Sequence, residues 1–227
     1  MRKQQSVISF DPISAQKNDG IISRFLKTRR FGGKSPKKED AFGMYIFAGS
    51  QGSGKTTSAI WYAEMLKAKY EKNKNKVIIF SNMGFGKLIT KKDIHNLIQS
   101  VEYNPNTVYI ILLDEFQSYY PKDSKNKQLL DEIDLLVGDF SQLRKRRMYV
   151  LATAQIYGRI NKSLREQCLY MVNCKIKGIF RKRCVNDFIA GDDILCDDLG
   201  RWSGVPRFIY KHGLPKSQFD SHKLIKF

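Results

Sequence analysis

Gly49-Ser50-Gln51-Gly52-Ser53-Gly54-Lys55-Thr56 satisfies the phosphate-binding pattern G-x-x-x-x-G-K-[ST] at every constrained position. A triphosphate has to be met by several backbone N–H groups at once, and only a glycine-rich turn lets the main chain wrap that closely. Gly52 and Gly54 supply that freedom, with Gly49, Ser50, Gln51, Ser53 and Thr57 completing the cradle. Lys55 is expected to reach the β- and γ-phosphates and the Thr56 hydroxyl to ligate Mg²⁺. The helix that follows would add its positive N-terminal dipole. ATP and Mg²⁺ are the expected ligands.

The flanks suit the motif. Met44-Tyr45-Ile46-Phe47-Ala48 is a short apolar run of strand type directly before the loop, and Ser58 to Tyr70 reads as a helix with Ile60, Ala63, Met65, Leu66 and Tyr70 to bury. Strand Lys76–Ser81, helix Lys91–Ser100, strand Val108–Leu113, helix Gln128–Leu143 and strand Met148–Thr153 follow. Strand–helix alternation of this kind predicts an α/β fold with a mainly parallel central sheet flanked by helices. Beyond Leu169, strands are predicted at Tyr170–Ile176 and Val205–Tyr210, either extending the sheet or forming a small hairpin-rich lobe.

Val108 to Leu113 ends in two carboxylates, Asp114 and Glu115. An Asp at that point is expected to hold Mg²⁺, and a Glu beside it to act as general base toward the attacking water. The next strand ends at Ala154-Gln155, where an amide can hydrogen-bond the γ-phosphate or that water. Arg144-Lys145-Arg146-Arg147 precedes this strand, and Arg159 and Arg165 follow it. Arg144 and Arg147 head the candidates for a charge-stabilising arginine, supplied from a neighbouring subunit because neither motif contains one.

Forty Lys and Arg against 22 Asp and Glu give a net charge of +18 and a pI near 9.7. That balance predicts a polyanionic partner, with double-stranded DNA bound without sequence preference as the first expectation. No apolar stretch approaches the length of a membrane span, and no signal peptide is expected. The cysteines at 168, 174, 184 and 196 lack zinc spacing, which predicts free thiols in a reducing cytoplasm. His95, His212 and His222 are scattered and give no metal or catalytic signal. A switch GTPase would show an N-K-x-D motif, and none is present; a small-molecule kinase would need neither Asp114-Glu115 beside Gln155 nor the charge of +18.

Glycine loop, Leu112-Leu113-Asp114-Glu115-Phe116, the basic cluster and Leu151-Ala152-Thr153-Ala154-Gln155 together resemble the FtsK–HerA branch of P-loop motor ATPases, over about residues 42–175. The resemblance implies a RecA-like P-loop fold and a homo-oligomeric ring. The membrane segments and DNA-reading winged-helix domain of FtsK-type translocases are not legible here. The chain looks most like the small viral ATPases that package a genome into a preformed capsid, with a capsid vertex or portal protein as a further partner. Such a protein would work in the host cytoplasm or at a packaging vertex of the virion. A Zot-like ATPase for filamentous phage assembly and extrusion ranks second, with another FtsK–HerA-type DNA translocase as the further alternative. The expected organisation is a basic N-terminal arm (1–40, with a short helix at Ile21–Leu26), an ATPase core (41–175) and a C-terminal extension or lobe (176–227).

Overall fold

In the computed structural model, residues 7–9, 42–178, 183–197 and 201–213 are described. The short helix expected at Ile21–Leu26 and all of the basic arm except 7–9 lie outside them. The elements are β1 (Val7–Ser9), β2 (Gly43–Ala48), α1 (Lys55–Lys72), β3 (Lys76–Ser81), β4 (Lys87–Leu88), α2 (Asp93–Ser100), β5 (Thr107–Leu113) and α3 (Phe116–Tyr119). Then come α4 (Lys127–Gln142), β6 (Met148–Ala154), α5 (Lys162–Glu166), β7 (Cys168–Lys177), β8 (Arg183–Ala190), β9 (Leu195–Cys196), β10 (Trp202–Ser203) and β11 (Phe208–His212).

Nine strands form one sheet in the order β1-β11-β8-β7-β2-β6-β5-β3-β4, while β9 and β10 pair separately. From β7 to β4 every neighbour is parallel; β8 runs antiparallel to β7, and β11 antiparallel to β8. The fold is α/β, a RecA-like P-loop arrangement with a mainly parallel sheet. β6 lies between β2 and β5, so the strand that ends before Gln155 separates the phosphate-loop strand from the acidic one.

Alternation along each strand builds two cores. Tyr45, Phe47, Val108, Ile110, Leu112, Tyr149 and Leu151 face α1, meeting Ala59, Ile60, Ala63 and Leu66. Met44, Ile46, Ala48, Ile111, Leu113, Val150 and Ala152 face the other way, onto Ile94 and Ile98 of α2 and Ile133, Leu136 and Phe140 of α4. Each fully buried Ile, Leu or Phe contributes roughly 1.5–3 kcal/mol relative to exposure. α1 closes with backbone bonds from Asn75 to the Tyr70 carbonyl (3.0 Å) and from Lys74 to that of Glu71 (2.9 Å). This is a Schellman ending whose left-handed residue, usually glycine, is Lys74 at φ 60°.

The region after β6 differs most from expectation. β8 is a full strand where none was anticipated, because Asn186 and Asp187 sit mid-strand and both residue types are depleted there. Their polar groups are satisfied within the protein: Asn186 bonds Ser58 and His212, and Asp187 accepts from Lys175 at 2.8 Å. β11 begins at Phe208, not Val205; Val205 is largely exposed, and Pro206 has no N–H for a ladder.

Candidate active site

The loop between β2 and α1 sits at the C-terminal end of the sheet, tied back by the Gly49 N–H to the Ala154 carbonyl of β6 (3.3 Å). A Cβ on Gly49 would stand 2.6 Å from Ser53 Oγ and 2.8 Å from the Cys174 carbonyl, so the close approach of β7 demands glycine there. Gly54, at φ 83°, takes the left-handed turn into α1 with Cys184 of β8 against it. The strands β7 and β8 therefore shape the loop. Burial pushes the Cys174 and Cys184 thiols above their ordinary range, which keeps them neutral beside it.

Lys55 is buried and donates from Nζ to the Ser50 carbonyl at 3.1 Å, folding back over its own loop. Ser50, Gln51 and Gly52 are exposed, and Thr56 and Thr57 stand half-buried in the first turn of α1. Ser53 Oγ is buried without a hydrogen-bond partner. An orphaned hydroxyl of this kind, in a loop of inward-turned backbone, fits a phosphate oxygen as its missing partner.

Asp114 and Glu115 follow β5. Asp114 Oδ1 accepts from Thr56 Oγ1 at 3.0 Å and from Thr153 Oγ1 at 2.5 Å, which joins the helix start to the acidic strand. Glu115 turns in the left-handed region at φ 53°, ψ 43°, a conformation that costs a non-glycine residue of order 1–3 kcal/mol and clusters at functional sites. The turn sends its carboxylate toward β6: Oε1 accepts from Gln155 Nε2 at 3.4 Å, and Oε2 accepts from Gln117 Nε2.

Residues 45–175 match the model of the ATPase family associated with various cellular activities (AAA). The chain belongs to the AAA ATPase family. No curated protein matches it in sequence. Among solved structures, the N-terminal domain of zonular occludens toxin from Neisseria meningitidis aligns at 15% identity and a TM-score of 0.48, covering 78% of this chain and 96% of that one. The genome packaging NTPase B204 from Sulfolobus turreted icosahedral virus 2, in complex with ATP-gammaS, aligns at 10% identity and a TM-score of 0.45, over 74% and 98%. Likenesses of that strength carry no statement about function.

The AAA ATPase thus binds and hydrolyses ATP, and its fold gathers Lys55, Thr56, Asp114, Glu115 and Gln155 at one end of the sheet. It does not bring Arg144 or Arg147 there. They precede β6, roughly 25 Å from Gln155 at the rise of a strand, so within one chain they cannot touch the loop. Arg147 donates instead to the Thr107 carbonyl and to Asn75 Oδ1 (2.9 Å), and its guanidinium covers the Phe42 ring. Arg165 donates to the Ile160 carbonyl at 3.0 Å and lies over Tyr157, while Arg159 is exposed.

Sequence reasoning missed three positioning groups in this ATPase. Thr153 is fully buried on β6 and bridges the Asp114 carboxylate and the Glu115 N–H (3.1 Å). Asn82, just past β3, clamps the Asp114 backbone from both sides: its Oδ1 accepts from Asp114 N–H (2.9 Å) and its Nδ2 donates to Asp114 C=O (3.1 Å). Behind α1, Ser58 Oγ, Asn186 and His212 form a buried network, with the His212 ring stacked on Trp61 at 4.1 Å. Burial lowers the His212 pKa to about 4, against a smaller opposing effect of its bond to the Gly213 carbonyl. A polar residue inside an otherwise apolar strand was the available signal for Thr153; Asn186 gave none, because the sequence does not announce its strand.

Among the described residues no helix is long and apolar enough to cross a membrane, and no cluster of three His, Cys, Asp or Glu could hold a metal ion.

Proposed function

We propose that this AAA ATPase is a motor of the FtsK–HerA kind that moves double-stranded DNA, packaging a viral genome into a preformed capsid. The observation that carries the motor reading is the contact of Gln155 with Glu115 at the tip of an interposed strand. An amide that touches the general base from a separate strand can pass the state of the nucleotide to the rest of the sheet. The charge of +18 supports a polyanion as cargo, read through its phosphates without regard to sequence.

In this reading Gly49 to Thr57 cradle the triphosphate, and Lys55 leaves the Ser50 carbonyl for the β- and γ-phosphates. Thr56 at the start of α1 and Asp114 after β5, two hard oxygen donors already 3.0 Å apart, fit Mg²⁺ and would hold it. A bound Mg²⁺ would neutralise phosphate charge there. Glu115 takes the proton of the attacking water, and Thr153 and Asn82 hold the acidic turn in place. Subunits assemble as a homo-oligomeric ring in which an arginine of the next copy completes the site, with Arg144, Arg147, Arg159 and Arg165 as candidates. The ring works in the host cytoplasm or at a packaging vertex of the virion, against a capsid vertex or portal protein.

ATP turnover with and without duplex DNA tests the reading. Unrelated duplexes should stimulate turnover alike at fixed salt. A purified protein that hydrolyses ATP yet neither binds nor responds to any duplex would overturn the motor on DNA while leaving the ATPase intact.

A further inference from the structure

The four central strands all begin at the end of the sheet opposite the phosphate loop, and α1 runs back to finish there. Three segments meet at that end. Lys76 N–H donates to the Asn106 carbonyl (2.7 Å), Tyr109 N–H to the Arg147 carbonyl (3.1 Å), and Arg147 Nη2 to Asn75 Oδ1 (2.9 Å). Residues 69–76, 102–107 and 144–147 are thereby joined into one surface. They contain eight Lys or Arg and two acidic residues, Glu71 and Glu102.

The cations divide by task. Arg146 caps the end of α2 through the Ile98 and Val101 carbonyls (2.7 and 2.8 Å), and Arg147 is held by Thr107 and Asn75. Lys72, Lys74, Lys76, Arg144 and Lys145 are exposed around them. The backbone gives an independent sign. Only three non-glycine residues among those described have positive φ: Glu115, Lys74 and Arg147. One is the proposed general base. The other two meet Asn75 at this basic end, Lys74 as its neighbour in the chain and Arg147 through a bond to its side chain, and Lys74 occupies a helix-ending position that glycine fills more cheaply. Arg147 spends its charge within the protein, whereas a lysine kept at position 74, where glycine costs less, points to a use for its exposed side chain.

We infer that this end of the sheet, around Lys74, Lys76 and Lys145, docks the phosphate backbone of double-stranded DNA. The inference rests on the DNA reading proposed above and assigns its contact surface. Exposed Asn73, Asn104 and Asn106 add amide donors suited to phosphate and sugar oxygens. An anionic bilayer fits less well, because surface binding to lipid needs apolar anchors. Tyr103 is exposed here, but the exposed Leu88, Leu130, Leu135, Leu195 and Val205 lie in other segments.

The test compares two triple variants of the full chain that lose the same charge. One is Lys74→Asn/Lys76→Gln/Lys145→Gln, in which Asn suits the left-handed backbone. The other is Lys125→Gln/Lys127→Gln/Lys162→Gln, at exposed sites elsewhere. Binding of a short fluorescein-labelled duplex is measured across a KCl series, with DNA-independent ATP turnover as the folding control. The first variant should lose about tenfold or more in affinity, with a log–log salt slope shallower by roughly 0.9 per phosphate contact removed. The second should bind nearly as the parent does, and both should keep basal turnover. Parent-like affinity and slope in the first variant would overturn the surface while the DNA reading stands. Equal loss in both variants would also overturn it, since net charge alone would then explain binding. A parent protein that ignores duplex but binds phosphatidylserine vesicles would overturn the DNA reading itself.

Discussion

The two ends of the sheet deal with phosphate by opposite means. Where β2, β3, β5 and β6 finish, α1 begins, so its free N–H groups and positive dipole end face the loop. Within the loop from Gly49 to Thr57 and the acidic turn at Asp114-Glu115, Lys55 is the single cation, and the polar side chains beside it are hydroxyls, an amide and carboxylates. Where those strands start, α1 ends, and its dipole is negative. Phosphate can be attracted to that end only by side-chain cations, and Lys72, Lys74, Lys76, Arg144 and Lys145 supply them. Strand direction thus divides the ATPase into an end that recognises a nucleotide with its backbone and an end whose charge must come from side chains.

The strongest way to break that division is Lys55→Ala. Turnover should fall to background with the fold retained by circular dichroism, and duplex affinity should hold. Loss of DNA binding in this variant would mean that the two ends are one site. Glu115→Gln sharpens the chemistry within the first end. The amide keeps the shape but accepts no proton, so turnover should drop by about 10²-fold or more while ATP still binds. ATP affinity that collapses in parallel would show that Glu115 holds the nucleotide instead.

Acidification probes the support beneath the loop. The His212 pKa is lowered to about 4 from an ordinary value near 6.5. Above pH 6.5 the imidazole is neutral in both folded and unfolded chains, so stability does not respond to it. As pH falls from 6.5 toward 4, the unfolded chain binds a proton that the folded one refuses. Stability should then decline, by at most about 3 kcal/mol from this group. Urea unfolding at pH 7 and pH 5 measures the slope, and His212→Gln should flatten it; an unchanged slope would assign the acid sensitivity elsewhere.

The smallest effect is expected at the opposite end. Lys74→Gly relieves a left-handed backbone and should raise stability by up to about 1 kcal/mol. The same change should weaken duplex binding modestly. A variant that gains stability with no loss of affinity would reduce Lys74 to an unfavourable helix ending.

The sequence made some of this arrangement legible and hid the rest for identifiable reasons. Strand alternation, the loop and the acidic strand end are local strings, so their order along the chain suffices to place Thr56 near Asp114 in a parallel sheet. Asn82 and Thr153 act on Asp114 across 32 and 39 residues, and no spacing rule links them to it. β8 was hidden because its polar centre reads against a strand until Ser58, His212 and Lys175 are seen to satisfy it. The far placement of Arg144 and Arg147 follows from strand direction, which a reading by nearness in sequence to Gln155 does not respect.

The Ser58–Asn186–His212 network also bears on when the protein becomes competent during synthesis. Ser58 lies one turn into the helix that follows the phosphate loop, yet its partners come 128 and 154 residues later. Closing contacts of such separation is slow and follows the local helices and hairpins. A nascent chain that has released the loop, the acidic strand and even β6 still lacks the two side chains that pin α1 from behind. The order of translation therefore delays a finished nucleotide pocket until the last described strand has emerged.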